Sequence, residues 1–162
     1  MADIGQLVLE AHTRLFDQHD TSVLDEYFAE DFVEHSPLIA DDAAGLRAFV
    51  EDLSESLKYT NARVITDTAN HLVALHGQFE GIEETPFVGF DIYRVHDGKI
   101  VEHWDNLVPE AAPNPSGRTQ LDGTTDPGDE SQTEENRKTV VEFFTRTLIG
   151  GDYSGFIDYT QN

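Results

Sequence analysis

After Tyr59 the spacing of apolar residues changes from helical to alternating, and this switch limits the possible folds more than any other feature of the chain. Residues 61–67, 71–79, 86–95 and 99–108 alternate strongly enough to predict four β-strands. The last two meet at His96-Asp97-Gly98, and Asp-Gly is a strong hairpin signal because both residues tolerate positive φ. Upstream, Ile4, Leu7, Val8, Ala11 and Leu15 recur at helical spacing and predict an amphipathic helix over 3–17. Thr21-Ser22 reads as the cap of a second, short helix that buries Val23, Leu24, Tyr27 and Phe28. The stretch FVEHSPLIADD then turns the chain at Pro37, and Leu46, Phe49, Val50, Leu53 and Leu57 mark a third helix over roughly 41–57. Helices first and an antiparallel meander second give an α+β domain with its helices on one face of the sheet.

The pattern ends at Val108. Residues 109–132 carry four prolines and three glycines without periodicity, which reads as a linker or extended arm. Residues 133–162 then repeat the start of the chain at an offset of 132: Val8/Val140, Glu10/Glu142, Thr13/Thr145, Arg14/Arg146, Asp20/Asp152, Ser22/Ser154 and Tyr27/Tyr159 are identical. The expected organisation is a domain over 1–108, an arm over 109–132, and a helical remnant over 133–162 that resembles the start of a second copy. Val140, Val141, Phe143 and Phe144 are expected to dock on the domain or on a neighbouring chain.

Composition narrows the partners. Thirty-two acidic residues face ten basic ones, a formal net charge of −22, so nucleic acid and anionic membranes are repelled. Acids spread along the whole chain with only three lysines resemble the surface of proteins from salt-loving archaea. No apolar run approaches the ~18 residues of a membrane helix. The start, MADIGQLVLEAH, lacks the build of a secretion signal, so a cytoplasmic location is expected. The chain has no cysteine, which excludes disulfides, thiolate metal sites and cysteine nucleophiles. The histidines show no metal-ligand spacing, and no phosphate-cradling or dinucleotide motif is present.

One residue stands out against its surroundings. Asp91 lies inside the apolar run from Phe87 to Val95, where a carboxylate is costly unless something pairs with it or uses it. Phe87, Gly89, Asp91, Tyr93 and Val95 share one face of that strand, and Val88, Phe90 and Ile92 share the other. With both faces apolar, the helices are expected on one side and a second copy of the chain on the other, a homodimer through the outer sheet face. His76, on the preceding strand, is expected to come close to Asp91 and to serve with it in proton transfer. His35 is placed at the pocket mouth, with Phe87, Tyr93 and Trp104 as further lining. His103 and Asp105 share the face opposite Trp104, so all three can line one pocket only if a bulge intervenes. His12, His19 and His96 are expected in solvent.

These residues, and above all EHSPLIAD, LVALH and FDIYRVHDGKIVEHWD, resemble the SnoaL-like polyketide cyclases of the nuclear transport factor 2-like superfamily over roughly residues 3–122. The resemblance implies a cone-shaped, strongly curved, mostly antiparallel sheet with the N-terminal helices on its concave face, and no cofactor. It also implies an aspartate as general acid/base of an intramolecular aldol condensation with a histidine assisting, roles that fall on Asp91 and His76. Two functions follow: a cofactor-independent acid/base enzyme acting on a small carbonyl compound by cyclisation or isomerisation, or a non-catalytic module that binds a small apolar ligand or dimerises. A cavity beside Asp91 favours the first, and a closed internal pair favours the second.

Overall fold

The computed structural model describes residues 3–53, 55–126 and 130–160. They form two compact units, Met1–Gly123 and Thr124–Asn162. In the first, helix α1 (Ile4–Phe16) is followed by α2 (Val23–Tyr27), strand β1 (Phe28–Glu34), helix α3 (Ala43–Asp52) and strands β2 (Lys58–Asp67), β3 (Leu72–Glu80), β4 (Phe87–His96) and β5 (Lys99–Pro109). The strands lie in the order β1-β5-β4-β3-β2, so the sheet is open, with β1 and β2 at its edges. β2 to β5 form the antiparallel meander, and β1 joins β5 in parallel. The α+β architecture stands as read from the sequence. β1 is an addition, because FAEDFVE follows its helix without a break and its alternation covers only a few residues.

Local chemistry sets the helix ends. The Asp3 carboxylate accepts from the backbone N–H of Gly5 and Gln6 at the start of α1, and Asp42 accepts from Gly45 N–H at the start of α3. Arg14, near the end of α1, donates to Asp20 and Glu26 and so ties α1 to α2. Val8, Ala11 and Leu15 of α1 are fully buried against Val73, Leu75 and Tyr93 of the sheet, with Leu46 and Val50 of α3 in the same core.

Three features fix which side chains reach the helix-covered face. The β4–β5 hairpin turns at Asp97 and Gly98, both at positive φ. Val95 pairs with Ile100 while Arg94 pairs with Glu102, so Val101 is an extra residue, a β-bulge. From there Tyr93 faces His103, and Asp91 faces Asp105. Gly77 and Gly89 pair directly on that face. A Cβ on Gly77 would run into the Tyr59 ring, and one on Gly89 into the Asn106 carbonyl of β5. The outer face keeps Ile65, Phe90 and Ile92 partly exposed, and the arm as far as Gly123 belongs to this unit: Arg63 of β2 donates to the Leu121 and Asp122 carbonyls.

The second unit comprises α4 (Thr133–Phe143), a π-helical stretch (Phe144–Ile149) and α5 (Gly155–Thr160). It reproduces the α1–α2 hydrogen-bond network at the offset of 132. Arg146 donates to Asp152 as Arg14 does to Asp20, and Arg146 pairs with Asp158 as Arg14 does with Glu26. Tyr159 donates to Glu142 as Tyr27 does to Glu10. The apolar positions behave differently: Val8 and Leu24 are buried, whereas Val140 is 54% and Phe156 46% exposed.

Because the atom in the way of a Gly89 Cβ is backbone, no rotamer change relieves the clash. Gly89→Ala is expected to destabilise the protein by about 1–3 kcal/mol, as overpacking does. Urea unfolding of the full chain measures the effect.

Candidate active site

Side-chain alternation along three strands brings the polar groups together. Glu34 of β1 pairs with His103 of β5, His103 with Tyr93 of β4, and Asp91 with Asp105. All point to the helix-covered face. Glu34, Asp91, Tyr93 and His103 are each at most 3% exposed. α1 adds His12, which occupies the apolar stripe of Val8, Ala11 and Leu15 and is likewise buried.

These groups form a chain. His103 Nδ1 donates to both carboxylate oxygens of Glu34, at 2.8 and 2.9 Å, and Glu34 Oε1 also accepts from the Ser36 N–H. His103 Nε2 lies 3.4 Å from Asp91 Oδ1, and its ring stacks on Tyr93. The other oxygen, Asp91 Oδ2, is 4.0 Å from His12 Nε2, while His12 Nδ1 is 2.7 Å from the Tyr93 hydroxyl. A bare Nε2 lone pair facing a carboxylate would be repelled, so the favoured tautomer carries its proton on Nε2 and accepts from Tyr93 at Nδ1. His12 Nε2, Asp91 Oδ2 and His103 Nε2 have no hydrogen-bond partner among the described residues.

A cavity of about 140 Å³ opens beside Asp91 and His103. Phe16, Phe49, Leu53, Leu57, Phe79 and Leu107 contribute to its apolar wall, and Ser36, Asp91, His103 and Asp105 form its polar end. A larger depression between α2, β1 and α3 is lined by Arg47 and Asp25, whose ion pair is largely solvated.

Burial and neighbours set the protonation states. Burial draws the His12 pKa down to about 4, against the attraction of Asp91. Burial also acts downward on His103, but its contacts with Asp91 and Glu34 outweigh it and raise its pKa to about 9. The half-buried Asp105 is raised, chiefly by burial.

The residues expected from sequence divide between the two faces. Asp91 is where the alternation puts it, and Tyr93 joins the buried chain without bordering the cavity. Phe87 is half-buried against the core but does not border the cavity. His76 does not meet Asp91. The residue opposite Asp91 on β3 is Leu75; His76 is opposite Phe90 and points to the outer face, where its ring stacks on Phe90 and contacts Arg63. A register one residue away from the meander assumed from sequence moves every side chain across the sheet. His35 and Trp104 do not line the cavity either. They stack on each other on the outer face, with His35 bound to Glu102 and Arg94 over the indole. Of the histidines expected in solvent, His96 is exposed, His19 is half-buried and His12 is buried. Sequence reasoning missed His12, Glu34 and His103 as site residues; for His12 the signal was its place on the α1 apolar stripe. Among the described residues, no group of three histidine or acidic side chains is placed to hold a metal ion.

Comparison with known proteins fits this geometry. The profile of the SnoaL-like domain matches residues 9–103. No curated protein matches the chain. Solved structures that superpose on it include IdmH of Streptomyces antibioticus, a proposed polyketide cyclase, at 23% identity and a TM-score of 0.52, covering 64% of this chain and 91% of that one. An NTF2-like protein of unknown function from Cytophaga hutchinsonii superposes with a TM-score of 0.57 at 15% identity, covering 67% of this chain and 93% of its own. An LEH-like epoxide hydrolase from M. tuberculosis does so with a TM-score of 0.52 at 15% identity, covering 65% and 82%. At these identities the likeness is one of fold.

The two histidines shape stability from opposite sides. Folded His12 refuses a proton that the unfolded chain accepts, so stability is expected to fall as pH drops from 6.5 toward about 4. Folded His103 keeps a proton that the unfolded chain releases, so its contribution is whole below 6.5 and is lost as pH climbs through about 9. Thermal melting across this range should show both limbs, and His103→Gln should flatten the alkaline one.

Proposed function

The chain belongs to the SnoaL-like domain family, and from that premise we propose that it is a cofactor-independent acid/base enzyme that moves a proton on a small carbonyl compound. The observation that carries this reading is a trio of buried polar atoms that make no hydrogen bond among the described residues, two of them on residues that border an apolar cavity. A buried acceptor left unpaired is costly, and a guest that supplies the missing hydrogen bonds offsets that cost. Asp91 Oδ2 takes the proton from the carbon next to the carbonyl. The electron pair passes to the carbonyl oxygen, which an imidazole N–H stabilises, and the enolate is reprotonated elsewhere or attacks within the molecule. The apolar wall keeps water from quenching the intermediate. A closed pair for Asp91, as a purely binding module would have it, fits poorly with its open oxygen and adjoining cavity.

The cavity bounds the substrate. Its volume of about 140 Å³ is close to that of an engineered cavity known to take benzene, so a molecule of about one ring is the expected size. The structural neighbours include a proposed polyketide cyclase and an LEH-like epoxide hydrolase, so the fold does not select among reactions.

The test is exchange of carbonyl α-protons into D2O, followed by NMR with cyclohexanone and acetylacetone as probes. Asp91→Asn is expected to lower the enzyme-dependent rate about 10²- to 10⁴-fold, with circular dichroism checking that the variant is folded at the assay temperature. Exchange at the wild-type rate would end the proposal. The same reading pairs two copies through the outer sheet face, where Ile65 is 52% and Phe90 40% exposed. Light scattering should give a dimer for the wild type and a monomer for Phe90→Lys.

A further inference from the structure

β1 alternates so that Phe28, Phe32 and Glu34 face the core, and the third of these is a carboxylate. It stands opposite His103 in the parallel β1–β5 pair and is 3% exposed. Its two oxygens share the His103 Nδ1 proton, and one of them is also held by the Ser36 backbone N–H, so the carboxylate cannot turn away. The opposite ring nitrogen, Nε2, therefore faces Asp91, and His103 borders the cavity.

We infer that Glu34 is a positioning residue that makes His103 the acid and Asp91 the base of the site, an assignment that rests on the proton-transfer reading above. An imidazole whose Nδ1 proton is committed to a carboxylate can serve the cavity only through Nε2. With a proton there as well, it can give but not take. Asp91, with an unpaired oxygen, can take. The cycle then balances. The substrate C–H proton passes to Asp91 while the His103 Nε2 proton passes to the carbonyl oxygen, which leaves a neutral enol. The enol O–H then returns its proton to Nε2, and Asp91 delivers its own to carbon, so both residues end as they began. The ionisable groups around His103 are Glu34 from β1, Asp91 and Tyr93 from β4, Asp105 from its own strand and His12 from α1. Of these, Glu34 alone holds Nδ1.

Nitrogen-15 NMR of the full chain reads the imidazole without any substrate. In the wild type His103 should carry both protons at neutral pH and lose one near pH 9. In Glu34→Gln the midpoint should fall by about 1–3 pH units, the effect of removing a neighbouring opposite charge. The alkaline limb of acetylacetone exchange should move down with it. A wild-type imidazole that is neutral at pH 7 overturns the assignment and needs no variant to fold. A Glu34→Gln titration at the wild-type midpoint, with exchange intact, overturns the assignment alone. A shifted titration with no exchange by any form, wild type included, overturns the proton-transfer reading and the acid role with it.

Discussion

The candidate site depends on one imidazole held between two buried carboxylates. Taking a carboxylate out of water costs several kcal/mol even after relaxation. Glu34 and Asp91 are both taken out, and the cation that compensates them is His103, in contact with each. The arrangement is lopsided. Glu34 is fully engaged by Nδ1 and by the Ser36 N–H, whereas Asp91 is touched on one oxygen and left open on the other. An ion network meant only for stability would close both ends, so the openness at Asp91 is what gives the site a chemical reading.

The position of this imidazole depends on one inserted residue. Counting back from the Asp97-Gly98 turn without interruption would put Trp104 opposite Asp91 and turn His103 and Asp105 to the outer face. The extra residue Val101 shifts the pairing by one between Arg94 and Val95 and reverses that outcome. His103 and Asp105 move under the helices, and Trp104 moves outside to stack with His35. A β-bulge beside a site commonly re-aims side chains in this way. The sequence reading considered a bulge only as a way to bring His103, Asp105 and Trp104 into one pocket, and it kept Trp104 rather than His103 in the site.

The internal repeat separates local from tertiary causes. The same residues at the same spacing build the same turn twice, down to the arginine that bonds an aspartate six residues on and the tyrosine that reaches back to a glutamate. Burial is not repeated, because it depends on what the helix lies against. Position 12 is a histidine inside the first unit, and its counterpart, Phe144, is 49% exposed. Among the described residues, the second unit has no strand, and so no equivalent of the buried polar chain that β1, β4 and β5 build.

Local chemistry, which the sequence carries in full, determined the helices, the four-stranded meander, its Asp-Gly turn, the buried position of Asp91 and the repeat. These follow from periodicity, capping and turn preference, each of which acts over a few residues. The tertiary structure decided which face each strand shows to the helices, and with it the site. His76, His35 and Trp104 went to the outside, while His12 and His103 came within reach of Asp91, with Glu34 holding His103 from behind. Those outcomes depend on strand register, on a bulge and on a parallel edge strand that joins residues 69 positions apart. In a structure with a period of two, a shift of one residue exchanges inside for outside.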